Sequence, residues 1–165
     1  MKVASKDPCA LLARLTPGAD QSAYITVFEK IKELSEALYR KYGISIQCGA
    51  EIEFQPKVVS QIHEWDDSTS LFDTSTFTPS DHLMRLLLES PNTSSLLKNF
   101  NSKEEFYDAE GMLEANVLPV EGALLLTRLE TVLEELKFNA RITGTDIVDM
   151  SLHLSISFWK DGQNL

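Results

Sequence analysis

Two stretches of the chain alternate apolar and polar residues with a period of two. In residues 44–54, ISIQCGAEIEF, Ile44, Ile46, Cys48, Ala50, Ile52 and Phe54 share one side, and Ser45, Gln47, Gly49, Glu51 and Glu53 share the other. In residues 147–159, Val148, Met150, Leu152, Leu154, Ile156 and Phe158 alternate with Asp149, Ser151, His153, Ser155, Ser157 and Trp159. Successive strand side chains point to opposite faces, so each stretch predicts a strand with one face on a core and one in water. A shorter alternation over 112–118, MLEANVL, predicts a third strand, with Glu114 and Asn116 opposite in parity to Leu113, Ala115 and Val117.

Between the strands the period changes. Tyr24, Val27, Phe28, Ile31, Leu34 and Leu38 recur every three or four residues, predicting a helix from Asp20 or Ser22 to Tyr42, with Gly43 as its stop. Residues 1–19 read as a mixed lead-in ending in a turn at Thr16-Pro17-Gly18. Pro56, Asp66-Asp67 and the Ser/Thr-rich run Ser68–Ser80 read as loops. Ser80 or Asp81 caps a helix through Leu88, ended by Ser90-Pro91. A short helix is expected over 93–100. Pro119 is expected to open a long helix to about Asn139, with Leu125, Leu126, Leu129, Val132, Leu133 and Leu136 on its apolar side. Asp161-Gly162 signals a hairpin, yet Leu165 follows directly, which predicts a turn without a partner strand and a polypeptide cut short. The pattern implies one α+β domain, an antiparallel sheet with helices packed on one face, with 1–43 as helical lead-in and 44–165 as sheet and helices.

Composition narrows the function. The chain has 165 residues and a formal net charge of -10, which disfavours nucleic acid as a partner. No run of about 18 apolar residues is present, so no membrane-spanning helix is expected. No secretory signal is recognised. Cys9 and Cys48 form no CxxC pair, which fits a reducing cytoplasm and no zinc or redox motif. By parity Cys48 belongs to the apolar face, as a small core residue.

If the three strands share a sheet, Glu51, Glu53, Glu114 and His153 meet on its open face. Carboxylates at i and i+2 repel unless a cation lies between them, and hard divalent cations take oxygen ligands. Water-facing strands carry polar residues in any case, so alternation alone also fits a plain solvated face. His63-Glu64 with Asp66-Asp67 reads as a solvated loop rather than a cluster of ligands, and His82 as an exposed residue. Trp159 falls on the polar parity, where it could stack on a nucleotide or pack under a missing segment.

Three segments resemble one family. GAEIEF (49–54) resembles the G-x-E-x-E-F strand of glutamine synthetases. EGMLEANVLPVEGALLLTRLETVLEEL (110–136) is similar to that family's G-Q-x-E strand and the helix after it. MSLHLSISFWKDGQNL (150–165) resembles its G-M-H-x-H-x-S-L-W-x-D-G-x-N-L-F stretch. The resemblance implies part of a glutamine synthetase-like catalytic domain. There, magnesium or manganese ions lie between carboxylates and the terminal phosphates of ATP, ATP phosphorylates a substrate carboxylate, and ammonia or an amine displaces phosphate. By position, Glu51 and His153 match ligands of one metal, Glu53 and Glu114 match ligands of another, and Ser157 matches a serine near the nucleotide. The chain departs from the pattern at Met112, where the family has glutamine, and at Ser155, where it has a second histidine. Val148 and Asp149 replace a glycine-rich turn. An upstream ligand glutamate has Tyr107 near its place, with Glu105, Asp108 and Glu110 as candidate substitutes. These departures, with ligand and arginine positions beyond Leu165, imply that this chain alone is inactive. Either a second chain completes it, or it is an inactive relative that binds a metal or a partner, including its own copies.

Overall fold

The computed structural model describes residues 8–16, 20–58, 79–100 and 113–165. The loops expected over 59–78, the His63 cluster, Met112, the Tyr107 region and Pro17-Gly18 lie outside the described residues, as does the side chain of His82. Among the described residues, eleven elements follow one another. They are α1 (Pro8–Leu15), α2 (Gln21–Tyr42), β1 (Ser45–Val58), α3 (Pro79–Glu89), α4 (Pro91–Leu96), β2 (Leu97–Phe100), β3 (Leu113–Glu121), a 3-10 turn (Gly122–Leu124), α5 (Leu125–Ile142), β4 (Thr145–Lys160) and β5 (Gln163–Asn164). The fold is α+β. The strands form one antiparallel sheet in the order β2-β3-β1-β4-β5, with β1 at its centre.

The longest helix, α2, begins and ends where the sequence says it should. The Asp20 carboxylate accepts the Ser22 N–H at 3.0 Å and caps α2, satisfying one of its orphan donors. Gly43 takes the left-handed conformation, φ 66°, and its N–H reaches the Tyr39 carbonyl at 3.0 Å. On α5, Leu125, Leu129, Val132, Leu133 and Leu136 are buried at helical spacing. The helices cover the apolar sheet face, where Ile52, Phe54, Ala115 and Cys48 are fully buried. Cys48 is a free thiol in this core, and burial pushes its pKa up.

Several expectations give way to the tertiary structure. Residues 8–15, to which the sequence pattern assigns no element of their own within the mixed lead-in, are a helix, because Leu11, Leu12 and Leu15 form a stripe buried in the common core. Residues 97–100 form β2, since β3 offers its free edge to them. Pro119 does not open α5. It stays in β3, where one extra residue is accommodated between the Val117–Ala50 and Val120–Cys48 pairs. A proline lacks the N–H a regular ladder needs, and a bulge tolerates that loss. Pro56 is likewise buried within β1, opposite Ile147. A second bulge in β4, between the Ser151–Glu53 and Val148–Gln55 pairs, reverses the parity of what precedes it. Ile147, not Val148, is therefore the buried residue there. Finally, the Asp161-Gly162 turn does deliver a partner, the two-residue β5, which pairs with Trp159 and Lys160.

Among the described residues, no helix is long and apolar enough to cross a membrane.

Candidate functional site

The central position of β1 decides what its polar face can meet. Glu51 is flanked by Asn116 of β3 on one side and His153 of β4 on the other. Glu53 is flanked by Glu114 and Ser151. Directly opposed residues of neighbouring strands hold their Cβ atoms about 4.5–5.5 Å apart. The ladder thus gathers Glu51, Glu53, Glu114 and His153 into a patch two residue pairs long and three strands wide. Glu51 and His153 are exposed; Glu53, Glu114 and Asn116 are half-buried.

The carboxylates are held by neutral donors. The Asn116 amide donates to Glu114 Oε1 at 2.8 Å, and the Ser151 hydroxyl donates to Glu53 Oε2 at 2.8 Å. Glu114 has its pKa raised, chiefly by burial, with the charges of Glu51 and Glu53 adding to the rise; the Asn116 hydrogen bond and His153 oppose it. The donor set, three carboxylates and an imidazole, suits a divalent cation chemically. As the side chains lie, no three His, Cys, Asp or Glu residues among those described are drawn together closely enough to hold one. Asn116 and Ser151 occupy carboxylate oxygens that a cation would claim.

The same face changes character toward its other end. Ser157, opposite Gln47, lies four residues along β4 from His153, about 13 Å at the usual strand rise. A cavity of about 830 Å³ opens there, lined by Tyr39, Ser45, Gln47, Pro119, Ser157 and Trp159, among others. The Trp159 indole N–H donates to the Ser157 hydroxyl at 2.9 Å, and that hydroxyl donates weakly to the Gln47 carbonyl at 3.4 Å. This fixes the indole edge beside Ser157, so Trp159 lies half-buried against the polar face. Parity placed Ser151, Gln47 and Trp159 on this face. Their partners required the register, and Tyr39, which comes from the far end of α2, carried no signal in the sequence.

No protein-family model matches the chain, and no curated protein matches its sequence. Among solved structures the chain is similar to a cryo-EM structure of Plasmodium falciparum glutamine synthetase, with a TM-score of 0.49 and 17% identity. The match covers 84% of this chain and 35% of that one, so the chain spans about a third of that protein's length.

Proposed function

We propose that this chain carries the divalent-cation patch of a glutamine synthetase-like, ATP-dependent carboxylate–amine ligase. One observation carries the reading: the three segments that resemble that family's motifs fold into adjacent strands, in a register that sets Glu51 beside His153 and Glu53 beside Glu114. Glu51 with His153, and Glu53 with Glu114, would hold magnesium or manganese. The cation would supply neutralisation of charge on a transferring phosphoryl group. The groove at Ser157 and Trp159 would take the nucleotide. The substrates would be a small carboxylate and ammonia or an amine, in the cytoplasm, with formation of an amide through an acyl-phosphate.

A second reading has its own support. Asn116 and Ser151 already satisfy the carboxylates of Glu114 and Glu53, which suits an inactive relative that binds a cation weakly or docks to a partner.

Thermal unfolding with and without manganese, alone and with ATP, separates the two. A ligand that binds the native state at a hundred times its Kd stabilises it by about 2.7 kcal/mol. The expected result is a cation-dependent rise of the midpoint, absent in Glu53→Ala. A cooperative transition that ignores the cation would sink the metal-site reading.

A further inference from the structure

The cavity beside Ser157 differs in chemistry from the carboxylate patch. Its volume of about 830 Å³ falls within the range of roughly 300–1,000 Å³ usual for small-molecule sites. Among the described residues that line it, Asp161 is the only charged one, and none is a lysine or an arginine. Two are aromatic: Trp159 of β4, and Tyr39 from the last turn of α2, which is 68% exposed. Ser45 and Gln47 of β1 add neutral hydrogen-bonding groups. The Ser157 hydroxyl is already committed. It accepts the Trp159 indole N–H at 2.9 Å and spends its single proton on the Gln47 carbonyl at 3.4 Å. An indole has one N–H and no acceptor, so this bond satisfies the polar edge of Trp159 and leaves its π system to offer a ligand.

We propose that this cavity takes the base end of a nucleotide, a flat uncharged heteroaromatic ring, with Trp159 and Tyr39 as the contacting residues and Ser157 as the residue that positions Trp159. The proposal rests on the reading of the groove as a nucleotide site, but not on any cation. Every base has a π face that stacks on aromatic side chains, whatever its sequence of donors and acceptors. Phosphates are recognised instead by arginine, lysine or converging N–H groups. With Asp161 as its one charge, the cavity repels a phosphate and tolerates a neutral ring. Ser45 and Gln47 can meet the polar edge of such a ring. Ser157 has no proton left to give the ligand, so it acts through the indole whose orientation it holds.

Fluorescence of the full chain carrying Trp65→Phe, which leaves Trp159 as its only tryptophan, tests it in chelator. Adenosine and AMP are the probes, and equilibrium dialysis on the parent chain reads the same affinities without the Trp65 change. The expected result is saturable quenching by both, with adenosine bound at least as tightly as AMP. Tyr39→Ala weakens adenosine by about tenfold, as loss of one stacking platform does. Ser157→Ala also weakens it and shifts the Trp159 emission maximum before any ligand is added; Ser157→Thr, which keeps the hydroxyl, restores both. No binding of adenosine at millimolar concentration overturns the proposal. So does AMP bound more than about tenfold tighter than adenosine, since phosphate would then be the group recognised. A Tyr39→Ala or Ser157→Ala protein indistinguishable from the parent overturns it too. The manganese response is read separately. Adenosine binding without that response upholds this proposal and sinks the cation reading, and the reverse pattern sinks this proposal alone.

Discussion

The two faces of β1 are made by the same eleven-residue alternation yet answer to different physics. On one face Ile52 and Phe54 are fully buried beneath the helices. On the other, one residue away, Glu51 is exposed and Glu53 is half-buried beside Glu114. The covered face is governed by apolar area and volume. The open face is governed by charge, hydrogen bonds and water. A substitution on one should leave the other nearly untouched, because the strand backbone separates them. The sheet can therefore keep its stability while its chemistry is lost.

The largest effect expected is on the covered face. Phe54→Ala should cost about 3–5 kcal/mol in urea unfolding, as removal of a fully buried aromatic ring does. A loss well below 1 kcal/mol would mean that the face is not packed as described. Next comes Gly122, where a Cβ would lie 2.5 Å from Ile31 Cγ2 and 2.6 Å from Ser35 Oγ on α2. Gly122→Ala should destabilise by about 1–3 kcal/mol through overpacking, read as a lowered denaturant midpoint with an unchanged slope.

The open face should respond with the opposite sign. Glu114 and Glu53 are directly opposed like charges, and such pairs in a sheet cost about 0.2–1 kcal/mol. Glu114→Gln should therefore stabilise the cation-free protein at neutral pH by that amount, while weakening any manganese effect. The pH dependence has a fixed sign. The folded-state pKa of Glu114 is raised, so its favourable contribution is complete below its ordinary value of 4.5 and is lost as pH rises through the raised value. Stability measured against pH should fall across that window in the parent protein and stay flatter in Glu114→Gln. A drop in stability of this variant at neutral pH would show that the Asn116 hydrogen bond outweighs the repulsion.

The smallest effect lies away from both faces. Arg14 of α1 pairs with Glu134 of α5 at 2.8 Å, with both side chains substantially exposed. Arg14→Ala should cost about 0–1 kcal/mol and less at high salt, since water and ions screen such a pair. A larger loss would make this pair, rather than Leu11, Leu12 and Leu15, the anchor of α1.

Long runs of regular period were legible because each states its own burial. The 44–54 and 147–159 alternations became β1 and β4, and the 20–43 stretch became a helix with the expected caps. The short elements were not legible. Nothing in PCALLARL distinguishes an isolated fragment from α1 until a core exists to bury its leucines. The sequence Leu97-Lys98-Asn99-Phe100 becomes a strand because β3 has an edge to offer. Pro119 looked like a helix opener because its local preference fits one, and the ladder between β3 and β1 overrode it.

The candidate site divides along the same line. The sequence by itself determined that Glu51, Glu53, Glu114, His153 and Ser157 all fall on water-facing parities, because period two follows from strand geometry and needs no partner. Only the tertiary structure decided which of them meet. That depends on strand order and register, which put β1 between β3 and β4, and on bulges, each of which reverses the facing of the residues beyond it. Parity is a property of one strand, and neighbourhood is a property of three.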